Sequence, residues 1–448
     1  MSPLLTDFYQ LSMASGYWRL GMQDQDAVFH LFFRRNPRQG DYVVASGLQT
    51  AIDFLQSFYF SRDDVDYLAS LNHPAFSEDF LKYLQSLRFT GNIDAVPEGS
   101  VVLSNEPILR IRAPLLLCQL LETPLINFIN FSSAVSTMAS RMRTIAGNDH
   151  LMEFGLRRAQ GPNGGITASR AAFIGGFDAT SNVLAGKTFR IPVVGTMAHS
   201  WVMAFDNELT AFEEYAKLVP DNSILLVDTY HTVTGVDRAI AVGKQLKSSG
   251  KILKGIRLDS GDLGTLSKMA REKLNQAGLT ETKIYVSGDI TEDRMADLKS
   301  TQAPIDGWGV GTHLTTSYEQ PALDMVYKLG AIKKNNAWHY KMKVSDNHLK
   351  TSDPGILQVR RFLDEKDKWL QDVIYHTEIN ALEDGRHMDL LQPTFRDGVL
   401  VHNQPTLTQT RAYCLSQVKQ FNQSKGVGYA VKRDEQLMKM KRALIGNE

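Results

Sequence analysis

The run KGIRLDSGDLG, from Lys254 to Gly264, sets two cations, two carboxylates and three glycines just after the apolar Ile252 and Leu253. While a strand lasts, residues two apart share a face, so Arg257 and Asp259 point the same way. Asp259 there suits the vicinal hydroxyls of a sugar or a hydrated Mg²⁺, and Arg257 suits an anion or the face of a ring. Asp262 falls in the turn toward the next helix, where capping a helix N-terminus is an equally good reading.

Similar groups stand at the ends of other apolar runs. In VSGD, Ser287, Gly288 and Asp289 precede a helical stretch whose N-terminal N–H groups suit a phosphate. In GVGT, Gly309 and Gly311 let backbone approach a ligand and Thr312 offers a hydroxyl. EFGLRRAQGPNGG brings Phe154, a ring face, and Arg157 and Arg158, of which one guanidinium could fork onto a carboxylate or phosphate. VVGTMAHSW brings Thr196 and His199, an acid, base or phosphoryl acceptor, with His231 and His313 as positional rivals. Walker A, GxSxG and HExxH patterns are absent, and no metal-ligand set is read from the chain. The residues favour a phosphorylated sugar and electrostatic positioning over a covalent nucleophile. A Mg²⁺-dependent sugar-phosphate lyase or isomerase using Lys254 and a non-catalytic phosphate-binding scaffold are the rival readings.

The elements that must position these groups recur. SILLVDTYHT, KILKGIRLDSGD and KIYVSGD each run from an apolar segment through Asp228, Asp259 or Asp289 into helix formers, at the spacing of a βαβ unit. With HLMEFG, FRIPVVG and DGWGVGT this makes at least six strands with chemistry at their C-terminal ends. The expectation is an α/β fold: an irregular parallel barrel over 131–320, an open doubly wound sheet being the alternative. Segments 1–130 and 321–448 would together form a flanking α/β domain, with LDMVYKLGAIKKNNAWHYKMKV as a hairpin or meander.

Composition narrows the class. Across 448 residues, 49 basic side chains balance 49 acidic ones, so no global field favours nucleic acid or an anionic membrane. The greasiest run, APLLLCQLLETPLINFINF, is interrupted by Glu122 and Pro124 and reads as buried helix, not a membrane span. Cys118 and Cys414 are far apart, which argues against a disulfide framework and for a reducing, cytoplasmic setting, and the N-terminus lacks a secretory pattern.

In order along the chain, LLTDFYQLSMASGYW, FHLFFRR, LLETPL, EFGLRRAQGP, GGFDATSNVLAG, GTMAHSW, LLVDTYHT, GIRLDSGDL and GVGT closely resemble the nicotinate phosphoribosyltransferases, from about residue 4 to residue 330. The resemblance implies a type II phosphoribosyltransferase fold in a homodimer with shared active sites. It implies transfer from phosphoribosyl pyrophosphate to nicotinate, giving nicotinate mononucleotide and pyrophosphate, with Mg²⁺ on the pyrophosphate and ATP hydrolysis coupled. It assigns Tyr9 and Thr196 to nicotinate, Arg257 beside pyridine and ribose, Arg157 near the nicotinate carboxylate and Phe154 to stacking. Asp259 would hold the ribose hydroxyls; Ser287, Gly288, Asp289, Gly309, Gly311 and Thr312 would form the phosphoribosyl cradle. Arg34 or Arg35 would reach the neighbouring chain's pyrophosphate, and His199 would be phosphorylated by ATP. The nicotinamide-specific relatives share the Arg–Asp strand, so choice between acid and amide rests on the ring pocket, for which Asp178, Ser181 and Asn182 are candidates.

Overall fold

The computed structural model describes residues 1–37, 42–344, 351–378, 385–425 and 429–446. The chain forms two compact units, Met1–Thr137 with Gln320–Glu448, and Met138–Glu319. None of the described helices is long and apolar enough to cross a membrane.

In the first unit a seven-stranded sheet joins segments from both ends of the chain. Asp26–Phe33, buried along most of its length, pairs antiparallel with Leu109–Pro114 on one side and Met325–Lys334 on the other. Met325–Lys334 then turns back into Ala337–Tyr340 through Asn335 and Asn336, both left-handed (φ 49° and 60°), the hairpin geometry that asparagine tolerates. The greasy run forms helices Leu115–Leu120, wholly buried, and Glu122–Ala146, whose Pro124 sits in the first turn, where a missing N–H costs nothing. A four-stranded sheet adds Leu357–Leu363, Trp369–His376 and two shorter strands. There Arg361 and Asp372 pair at 2.7 Å with both side chains fully buried, and the guanidinium lies 3.7 Å from the Trp369 ring centre.

His30, on the strand Asp26–Phe33, is 2 % exposed, and its Nε2 accepts the Leu357 N–H at 3.1 Å. Burial, reinforced by the nearby Arg110 and His376, lowers its pKa to about 3, and burial lowers that of His376 too. A depressed histidine favours the neutral folded form. Its contribution is therefore whole above the unfolded value near 6.5 and is lost as pH falls toward 3, by on the order of 1.4 kcal/mol per pH unit for His30. Tm is expected to drop steeply below about pH 6.5, and His30→Gln, which keeps an acceptor for Leu357, should flatten that drop. An unchanged Tm profile in this variant would assign the acid sensitivity elsewhere.

The second unit is built on six parallel strands: His150–Glu153, Ala179–Thr180, Ile224–Leu226, Gly255–Leu258, Lys283–Val286 and Gly307–Val310. The first strand pairs with the last, Gly307–Val310, and with the second; the remaining ladders run 224 to 255 to 283 to 307. That order is the cyclic order of a barrel. Between Val193, which forms an isolated bridge with Thr180, and the strand Ile224–Leu226 no ladder closes the ring among the described residues. FRIPVVG, expected as a full strand, supplies only that bridge, in part because Pro192 has no N–H to give. The missing member of the six is Ala179–Thr180.

One face of the sheet, Leu151, Leu225, Ile256, Leu258, Ile284, Val286, Trp308 and Val310, is fully buried. On the opposite face the Tyr285 ring fills the space that a Cβ on Gly255 or Gly307 would occupy, each 2.7 Å from a ring atom. One large side chain between two glycines fills this layer, the alternation small barrels use. The register then brings Asp228, Asp259, Ser287 and Gly309 to neighbouring strand ends.

Candidate active site at the strand ends

Asp259 stands at the centre. Its backbone N–H donates to Asp228 Oδ2 at 2.9 Å, its Oδ1 accepts the Ser287 hydroxyl, and its Oδ2 lies 3.8 Å from His199 Nε2. Gly288 is left-handed (φ 85°), and any Cβ there would collide with the Asp259 carbonyl oxygen. Glycine is what lets the Ser287 turn close against Asp259. Asp289 follows with φ 46°, a conformation that costs a non-glycine residue about 1 kcal/mol or more, and the turn enters helix Glu292–Ser300, capped by Thr291.

Arg257 is held one layer deeper. Its Nη1 donates to Thr196 Oγ1 at 2.5 Å, while its Nε is buried with no hydrogen-bond partner among the described residues. Burial lowers its pKa, with Asp259 and Asp228 opposing the shift and Arg157 adding to it. A guanidinium stays charged regardless, so this is a desolvated cation with a donor left to offer. Arg157, exposed in the 3₁₀ turn Leu156–Arg158, is close enough to Arg257 to repel it, and an anion between the two would relieve that repulsion.

His199 opens the short helix His199–Met203, its Nδ1 held 3.1 Å from the Thr229 hydroxyl. The connected set is therefore Thr196, His199, Arg257, Asp259, Ser287 and Gly288. Phe154 joins it differently: a Cβ on the buried Gly309 would lie 2.6 Å from the Phe154 ring. Gly309, expected to let a ligand approach, instead makes room for that ring. Gly311 caps, and Thr312 begins, the helix Thr312–Thr315. Tyr9, Arg34 and Arg35 belong to the first unit. There Tyr9 lines a cavity of about 400 Å³ with Glu122, Asn127 and Asn130, Arg34 lies 3.6 Å from Asp324, and Arg35 is exposed.

Other candidates fall away on position. Asp262 is a helix cap: Oδ1 accepts the Gly264 and Thr265 N–H groups and Oδ2 the Thr265 hydroxyl, the main cause of its lowered pKa. Lys254 precedes its strand, five residues and roughly 16 Å of extended chain from Asp259, the wrong end for a barrel base. His231 is exposed, and the His313 ring packs edge-on against Tyr318. Asp178 lies where the strands begin, paired with Arg143 at 2.6 Å and accepting the Leu151 N–H at 2.9 Å. Asn182 is buried and caps helix Val183–Phe189, and the Ser181 N–H is bonded to the Glu153 carbonyl.

Sequence reasoning missed the supporting carboxylate. Asp228 Oδ2 takes both the Asp259 N–H and the Ser260 hydroxyl, at 2.6 Å, while its Oδ1 is buried without a partner among the described residues. Its signal was its place, one βα unit before Asp259.

Fold and cluster together define the class: an α/β enzyme whose site lies at the carboxyl ends of a parallel sheet. The profile of the nicotinate phosphoribosyltransferase (NAPRTase) family matches residues 150–395, and that of the NAPRTase N-terminal domain matches residues 4–130. Nicotinate phosphoribosyltransferase of Bacillus subtilis is 40% identical over 431 residues, covering 92% of this chain and 87% of its own; that of Caenorhabditis elegans is 40% identical over 413 residues, covering 79% and 73%. The crystal structure of human nicotinic acid phosphoribosyltransferase superposes with a TM-score of 0.86 at 30% identity, covering 98% of this chain and 99% of that one. The chain belongs to the nicotinate phosphoribosyltransferase family.

Proposed function

We propose that this protein transfers the phosphoribosyl group of phosphoribosyl pyrophosphate to nicotinate, forming nicotinate mononucleotide and pyrophosphate in NAD synthesis, with ATP hydrolysis coupled to the transfer. The observation that carries the reading is the fixed Asp259 carboxylate beside a desolvated Arg257 and His199. As the bond from ribose C1 to pyrophosphate breaks, positive charge grows on the ribose ring. Asp259, accepting from the ribose hydroxyls, stabilises that charge where it develops. Arg257 and Arg157 hold the nicotinate carboxylate, aiming the ring nitrogen at C1, with Thr196 and Phe154 around the ring. Ser287, Gly288, Asp289, Gly311 and Thr312 receive the phosphoribosyl end.

Among the described residues no three carboxylate, histidine or cysteine side chains gather as a metal-binding group. In this reading Mg²⁺ enters with the substrate, as counterion of the pyrophosphate. ATP would transfer its γ-phosphoryl to a His199 ring nitrogen, releasing ADP, and water would later return the histidine and phosphate. The added charge would alter the balance beside Asp259. A homodimer with shared sites, in which Arg34 or Arg35 serves the neighbouring pyrophosphate, and a cytoplasmic setting complete the proposal; two buried, unpaired cysteines suit the latter.

Incubation with phosphoribosyl pyrophosphate and either nicotinate or nicotinamide, with and without ATP, tests the whole reading. Nicotinate mononucleotide formation stimulated by ATP is expected. Product from nicotinamide alone would transfer the assignment to the amide-specific relatives, and no product from either would remove it. Because Asp178 is committed to Arg143 where the strands begin, Asp178→Ser should leave the acid-to-amide preference unchanged while costing about 1–3 kcal/mol of stability. A changed preference would place Asp178 in the ring pocket after all.

A further inference from the structure

Glu153 ends the strand His150–Glu153 and is 1 % exposed. It has no cationic partner among the described residues. Its Oε1 accepts the Gly155 N–H and, at 3.2 Å, the Thr315 hydroxyl; its Oε2 accepts the hydroxyls of Ser169 at 2.8 Å and Thr180 at 2.6 Å. A buried carboxylate satisfied by neutral donors alone is unusual, because its desolvation is offset by hydrogen bonds without a countercharge. What those four donors share is location. Gly155 starts the turn that carries Arg157; Thr315 ends the short helix that Thr312 begins; Thr180 is the last residue before Ser181; Ser169 lies on helix Gly161–Ile174, which follows the arginine turn.

The contact with Thr315 is close enough to dictate a second residue. A Cβ on Gly155 would overlap the Thr315 hydroxyl, so EFG at 153–155 works as a unit: the glutamate reaches, and the glycine leaves space for what it reaches. Every residue of the hub is buried.

We propose that Glu153 is a positioning residue: it ties the arginine turn at Arg157 to the Thr312 helix, and so sets the distance between the nicotinate-carboxylate end and the phosphoribosyl end of the site. This rests on the functional reading above and deepens it. A displacement of about 1 Å in either group can cost up to about 100-fold in rate, so a tether between them has kinetic consequences. Glu153→Gln preserves the two Oε1 contacts and lets the amide donate to Ser169 and Thr180, whose hydroxyls can turn away, that of Ser169 to the Gly165 carbonyl at 2.9 Å and that of Thr180 toward Ser169 Oγ at 3.4 Å.

The test compares steady-state kinetics of wild type, Glu153→Ala and Glu153→Gln, with KM for nicotinate and for phosphoribosyl pyrophosphate determined separately. Glu153→Ala is expected to raise both KM values roughly tenfold or more, and Glu153→Gln to recover most of that loss. If Glu153→Ala yields no folded protein, Thr315→Val and Thr315→Ser replace the pair: loss of the hydroxyl should raise KM for phosphoribosyl pyrophosphate and the serine should restore it. Unchanged KM values in Glu153→Ala or Thr315→Val, or a glutamine variant as impaired as the alanine, would overturn the tether. A wild type without transferase activity would overturn the functional reading and the tether with it.

Discussion

Asp259→Ala is expected to lower kcat by on the order of 10²–10³-fold or more, the largest single effect predicted for this chain. The reason lies in how the carboxylate is held. Ser287 fixes one oxygen, Asp228 fixes the backbone beneath it, and the other oxygen faces His199 at 3.8 Å. A group so fixed needs no reorganisation when charge appears on the ribose, which is where electrostatic catalysis draws its advantage over water. The loss should fall on kcat more than on KM, because the interaction strengthens as the bond to pyrophosphate breaks. Asp259→Asn, which keeps an acceptor for Ser287 but no charge, should be nearly as inactive. Near-normal kcat in either variant would sink the assignment of Asp259 to the ribose.

The second large effect concerns coupling. In His199→Ala the stimulation by ATP should vanish while a slow, ATP-independent transfer persists, since the residues assigned to nicotinate and ribose remain. The same protein should fail to retain label from γ-labelled ATP. His199 is suited to this role by its tether: with Nδ1 on the Thr229 hydroxyl and Nε2 toward Asp259, its ring orientation is set before any phosphoryl donor arrives. ATP stimulation persisting in the alanine variant would move the acceptor to another residue.

Much of this was legible in the chain. The runs ILLVD, GIRLD and YVSGD announce strands because buried parallel strands are continuous apolar segments and their exits need glycine or a short polar side chain. Asp259, Arg257, Thr196 and His199, singled out by their positions at such exits, do come together. Other features leave no local trace. Ala179–Thr180 is too short to make an apolar run, and its place in the sheet comes from neighbouring strands. Gly309 looks the same in sequence whether it admits a ligand or a phenylalanine ring. Glu153 reads as a polar strand end, because the hydroxyls that satisfy it lie 16, 27 and 162 residues away. Asp262 carried two meanings until the Gly264 and Thr265 N–H groups chose the cap.

The unladdered edge between Val193 and Ile224–Leu226 has a mechanical consequence. The chain that crosses it carries Thr196 and His199, so the proposed phosphoryl acceptor rides on a connection whose two flanking strands share no ladder with each other among the described residues. Shifting that segment would break the two backbone hydrogen bonds of the bridge, the contacts of Thr196 and His199 with Arg257, Thr229 and Asp259, and the Glu208–Arg238 pair, while leaving every ladder of the six strands whole. In the proposed cycle a charge added to His199 would act on this unladdered segment, while Asp259 stays held by Asp228 and Ser287.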